Sequence, residues 1–136
     1  MAKIPVSKDV TDLLLPFAPE IRDLALAARS FVLQEIPGIT EQVDLKARIV
    51  GYAYGSRHID MVCMIMPTKP GVNLGIAYAM EPPDPKKLLE GTGKAHRHVK
   101  LKSSVDLQNS ALKSLLQAAN DAAIARRESA ARPRRK

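Results

Sequence analysis

Gly91-Thr92-Gly93-Lys94, with the basic run Ala95-His96-Arg97-His98-Val99-Lys100-Leu101-Lys102 behind it, holds the side chains best suited to chemistry. Two glycines let backbone N–H groups approach an oxyanion, Thr92 adds a hydroxyl and Lys94 adds charge. That chemistry is the holding of a carboxylate or phosphate. The spacing is not a Walker loop, which needs GxxxxGK followed by Ser or Thr. The same glycines also suit a plain turn at positive φ before an edge strand. Arg97 shares strand parity with Val99 and Leu101, so it must meet an acid such as Glu90 or open into a cleft. His96 and His98 project to one side, and make a metal site only if a third ligand arrives. Solvated or hydrogen-bonded histidines are the simpler reading, and no cofactor is expected.

Tyr52 and Tyr54 either line a pocket or pack across strands. Asn73 lies on a strand face with Gly75 and Ala77, whose small size leaves room for a ligand or for close packing. Together with Gly91, Thr92, Gly93, Lys94, Arg97 and His98, these residues form the candidate ligand surface. Cys63 sits inside an apolar run without a catalytic histidine at a recognisable spacing, and reads as buried and inert. No nucleophile–base pair or paired carboxylates can be assembled, so an enzyme is not expected.

The elements that must position these residues follow from periodicity. Lys8 to Leu15 makes one or two helical turns, cut off by Pro16. Pro19 opens a helix whose stripe is Ile21, Leu24, Ala25, Ala28, Phe31 and Val32. Leu45, Ala47 and Ile49 alternate with Lys46 and Arg48, predicting a half-buried strand that continues through Tyr52 and Tyr54 after a break near Gly51. His58 to Met66 is a second strand, apolar on both faces and therefore central. Val72 to Tyr78 is a third. A rigid connector, Glu81 to Pro85, and a helical turn over Pro85 to Leu89 come next, then a fourth strand from His96 to Lys102. The last helix buries Leu112, Leu115, Leu116, Ala119 and Ala123 and runs to about Arg127. Short loops favour antiparallel pairing, and helices at the chain ends can cover one sheet face. The fold class is α+β, a two-layer sandwich with both helices on one face. The second face of the Met61–Met66 strand needs cover from a homodimer, a pocket or the short helical turn.

A chain of 136 residues fits one domain, here 8–127, between a flexible start at 1–7 and a disordered basic tail at 128–136. No stretch approaches the ~18 apolar residues of a membrane span, and no signal peptide opens the chain. A single cysteine excludes an internal disulfide and favours the cytoplasm. The net charge is +7, and six basic residues against Glu128 put +5 of it between Arg126 and Lys136. Such an end either solubilises the chain or contacts nucleic acid without sequence preference.

Gly91-Thr92-Gly93-Lys94-Ala95-His96-Arg97-His98-Val99-Lys100-Leu101 resembles the signature of the YdhG-like family of bacterial domains of unknown function. The strand pair around Tyr52 and Tyr54, the Val72-Asn73-Leu74-Gly75 strand, the Leu88-Leu89-Glu90 lead-in and the final helix fit it too. The resemblance spans roughly residues 10–125 and implies an antiparallel sheet flanked by helices. It implies no settled activity, and some members are described as frataxin-like iron chaperones. Iron favours clustered oxygen ligands, whereas Asp9, Asp12, Glu20, Asp23, Glu35, Glu41 and Asp44 are dispersed here. The reading is therefore a small-anion or protein-partner binding domain, with iron delivery and nucleic-acid association as alternatives.

Overall fold

The computed structural model describes residues 5–79, 88–91 and 96–131, with the backbone alone for His96. Ser7 caps the first helix, Lys8–Leu14 (α1), by accepting the Val10 N–H at 3.3 Å. Pro19, at a first-turn position where its missing N–H costs nothing, opens Pro19–Glu35 (α2). Five strands follow: Thr40–Asp44 (β1), Ile49–Ala53 (β2), Met61–Pro67 (β3), Val72–Ala77 (β4) and His96–Leu101 (β5). They pair antiparallel in chain order, with β3 in the middle. Ser110–Ala131 (α3) closes the chain, its Ala111 N–H held by Asn109 Oδ1 at 2.9 Å. The helices at the two ends pack on β3 and β4, and their buried stripes meet Val50, Tyr52, Cys63, Ile65, Leu74 and Ile76. This is the α+β two-layer architecture expected.

The first sheet elements differ from expectation. Leu45–Arg48 is not a strand but the tip of the β1–β2 hairpin, and of the expected alternation Ile49 alone lies in a strand. Asp44 Oδ1 accepts the Ala47 N–H at 2.9 Å, Arg48 turns at φ 57°, and Leu45 is 46% exposed. The strand before it, Thr-Glu-Gln-Val-Asp, carries one apolar residue, as an edge strand can. The break expected near Gly51 is absent, and the register shift lies between Tyr52 and Ala53. Tyr52 pairs with Cys63 but Ala53 pairs with Met61, so β3 holds one extra residue. The bulge sends Val62 into the core with Cys63 and Ile65, and turns Met61 to the other face, over Gly51.

The chain ends also depart from expectation. Pro5 is tied down through its carbonyl, and α3 continues to Ala131, past the expected limit at 127. The connector from Glu81 and most of the helical turn after it lie outside the described residues. Leu88 and Leu89 are not helical and pack at the edge of the core.

One charge lies inside the helix side. Arg29 of α2 is only 5% exposed. Its Nε donates to Glu41 Oε2 at 2.8 Å, and its Nη2 donates to Glu41 Oε1 at 3.2 Å and to Pro5 O at 2.6 Å. The Tyr52 hydroxyl donates to the same Glu41 oxygen at 2.8 Å. Burial, then the Glu41 carboxylate, holds the Tyr52 phenol protonated far above its ordinary range. Arg29→Met strands a buried carboxylate and is expected to cost about 3–5 kcal/mol in urea unfolding. Tyr52→Phe, which removes one bond to a charged acceptor, should cost about 1.5–3 kcal/mol. Equal and negligible losses in both variants would contradict a buried network here.

Candidate functional site

Strand parity divides the expected ligand surface. Tyr52 is fully buried, facing the helices with its hydroxyl on Glu41. Tyr54, on the same side, donates its hydroxyl to Asn120 of α3. Both take the packing role. Arg97, opposite Ile76, also lies on the helix side, half-buried at the β5 edge. Asn73 and His98 lie on the other face, where Asn73 pairs with Lys100 and Gly75 with His98. Thus Arg97 and His98 project to opposite faces and cannot line one hollow. Gly91 adopts φ +107°, the turn conformation open to glycine, beside a Glu90–His98 bridge with N···O distances of 2.7 and 3.1 Å. Thr92, Gly93 and Lys94 lie outside the described residues.

Asn73 has different companions from those expected. With Thr68, Pro70, Gly71, Lys100 and Lys102 it lines a cleft of about 270 Å³ beside the β3–β4 turn. The Thr68 hydroxyl fixes that turn, donating to Gly71 O at 2.9 Å and accepting the Gly71 N–H at 3.2 Å. The Lys102 N–H donates to Asp106 Oδ2 at 2.7 Å, which anchors the end of β5. Among the described residues that line the cleft, none is acidic. Glu90 comes only to 3.8 Å from Lys100 Nζ, with both side chains half exposed, so water screens that pair. The signal was in the sequence: Lys100 and Lys102 share parity with His98.

A second polar cluster closes the opposite end of the sheet. Asp60 is buried and accepts from the Arg57 side chain at 3.1 and 3.2 Å and from Arg127 at 2.9 Å. Arg126 donates to Ile59 O at 3.0 Å and Met61 O at 2.8 Å, and its guanidinium stacks 3.7 Å from the Tyr78 ring centroid. Sequence reasoning ends the last helix at about Arg127 and counts both arginines with the basic end, because nothing local places α3 against Asp60. Every group in this cluster has a partner, so it reads as a fastening rather than a site. Among the described residues no three His, Cys, Asp or Glu side chains group so as to hold a metal ion, and no helix is long and apolar enough to cross a membrane.

Comparison with family models, with curated proteins and with solved structures gives no match. The YdhG-like resemblance thus rests on the motif residues alone.

Two measurements test these placements. The Arg57 hydrogen bond, helped by Arg127 and opposed by burial, lowers the Asp60 pKa to about 2. A lowered value stabilises the fold above the ordinary carboxyl pKa of 3.8 and loses that stabilisation as pH falls toward 2. Asp60→Asn should therefore melt below wild type at neutral pH, with the gap closing between about pH 4 and pH 2. A gap unchanged at pH 2 would contradict the ion pairs. Burial likewise pushes the Cys63 thiol well up. A thiol reagent should leave the native chain unmodified and label it once denatured, whereas rapid native labelling would place Cys63 at the surface.

Proposed function

We propose that this chain is a binding domain for a small anion, a carboxylate or phosphate, seated between the Thr68–Gly71 turn and the end of β5. The observation that carries this reading is that Lys100, Lys102 and Asn73 line one cleft without an acid among its described lining residues. His98 lies on the same face two residues before Lys100. Each lysine at about 4 Å contributes roughly 1–4 kcal/mol of Coulomb attraction before desolvation. Affinity in the millimolar to tens-of-micromolar range follows for so open a site. A buried thiol without a disulfide partner suits a cytoplasmic setting.

The alternatives gain less. Iron delivery lacks a cluster of oxygen ligands among the described residues. Tail-mediated nucleic-acid binding loses two of its six basic residues, since Arg126 and Arg127 are bound into the fold.

Titration of ¹⁵N-labelled protein with inorganic phosphate and with citrate, against sodium chloride at matched ionic strength, tests the reading. Shifts should centre on the amides of Gly71, Asn73, Lys100 and Lys102. Lys100→Glu with Lys102→Glu should weaken binding about tenfold or more. Shifts scattered over the surface, or affinity unchanged in the folded double variant, would remove the cleft as the site.

A further inference from the structure

Among the described residues no helix covers one face of the sheet, and β3 is apolar there as well as toward the core. Met61, Met64 and Met66 are half-buried on it, beside Ile49 and the 46% exposed Leu45. The methionines do not stand up as a ridge. A Cβ built at Gly75 would fall 2.8 Å from Met64 Cγ and 2.9 Å from Met66 Cε. One at Gly51 would fall 3.2 Å from Met61 Cε. The thioether chains therefore lie down over the glycines of the flanking strands, beside a shallow hollow of about 560 Å³ whose lining includes Asp44, Leu45, Ile49, Met61 and Met64. An apolar sheet face packs on another sheet at about 10 Å.

Register says which sheet. Asp44 pairs with Ile49, Met66 with Asn73 and Asn73 with Lys100, while Ile49 falls opposite Met66, one step beyond the Val50–Ile65 pair. One row across the outer face is therefore Asp44, Ile49, Met66, Asn73, Lys100. The next is Gln42, Gly51, Met64, Gly75, His98. In the first row an acid ends one edge and a base ends the other, with Ile49, Met66 and the Asn73 amide between.

We propose that this face is a twofold homodimer interface, β3 on β3, in which Asp44 of each protomer meets the partner's Lys100. Because β3 is the middle strand of five, an axis along it carries β1 onto the partner's β5 and β2 onto the partner's β4. Met66 and Met64 then meet their own copies on the axis, and Gly51 meets the partner's Gly75. Acid at one edge and base at the other is the self-complementarity that an isologous contact requires. Both end groups are exposed, Lys100 with 58% of its side chain, and its four-carbon stem spans the offset that sheet twist introduces. Among the described residues the Lys100 ammonium meets Glu90 at 3.8 Å, a loose pair that the partner's Asp44 displaces. Strands at ~4.8 Å and about five residues at ~3.3 Å give a footprint of roughly 400 Å² per protomer. That is about half the ~800 Å² per partner of a standard interface, which makes the contact a weak, transient one. This inference goes beyond the anion reading and shares only Lys100 and Asn73 with it.

Sedimentation velocity on the full chain from about 5 to about 500 µM should show monomer–dimer exchange. Asp44→Lys and Lys100→Asp should each weaken the dimer about tenfold, and the two together should restore it to within about threefold of wild type. Met64→Glu should abolish it, with circular dichroism checking that each variant folds. Should Met64→Glu fail to fold, the charge exchange decides alone. A monomer throughout the range, a dimer indifferent to folded Met64→Glu, or a double variant weaker than either single one overturns the proposal. Lys102 lies outside both rows, so Lys102→Ala tests the anion cleft while the dimer is expected unchanged. The two ideas can therefore fail separately.

Discussion

Arg29 is a charge placed inside an apolar layer, and it can stay there only because Glu41 comes to meet it. That demand reaches further than one ion pair. For Glu41 to reach Arg29, β1 must turn it toward the helices, which sends Gln42 and Asp44 outward by strand alternation. Tyr52, opposite Glu41 in the ladder, donates to the same carboxylate and locks β2 to that choice. A slip of one residue would put the carboxylate outside, leave the guanidinium alone and expose the tyrosine. The buried network thus decides what the neighbouring outer surface presents, although none of its members lies there.

The β3 bulge is held from the opposite end. A bulge interrupts the ladder and leaves backbone carbonyls in need of donors. Arg126 supplies them, to Ile59 O and Met61 O, while Arg127 and Arg57 neutralise Asp60 just before the strand begins. The last turns of α3 are therefore tied to the point where β3 changes face. This is the point that moves Met61 outward to join Met64 and Met66. Loss of the arginine clasp would act on the outer surface through the bulge.

The fold class was legible because periodicity survives wherever burial is one-sided. The α2 stripe at Ile21, Leu24, Ala25, Ala28 and Val32 and the α3 stripe from Leu112 to Ala123 are both buried. Beta structure was harder to read at the first hairpin. Leu45, Ala47 and Ile49 alternate by chance of composition at a tip, while the true edge strand offers only Val43. The candidate site was legible in part. The outward parity of Asn73 and His98 followed from alternation, and Lys100 lay on the same parity. What brings Thr68 and Gly71 beside Lys102 is a turn held by long-range pairing, which no local pattern encodes. Arg126 and Arg127 read as part of the basic end because their partners, Ile59, Asp60 and Met61, lie more than sixty residues away.

The two sides of the sheet carry different obligations. Among the described residues every buried side-chain nitrogen and oxygen has a partner, so the polar groups inside the helix side are committed to the fold. The outer side keeps Lys100, loosely met by Glu90, and methionines that lie over Gly51 and Gly75. Methionine is unbranched and polarizable, so such a surface conforms to what lands on it without leaving rotamer minima. A charge reversal at Arg29 or Asp60 therefore acts on whether the chain folds. The same reversal at Lys100 acts on what the folded chain meets, because solvent and a partner compete there for a group held in the fold by a loose contact, whereas Asp44 also fixes the hairpin tip through the Ala47 N–H.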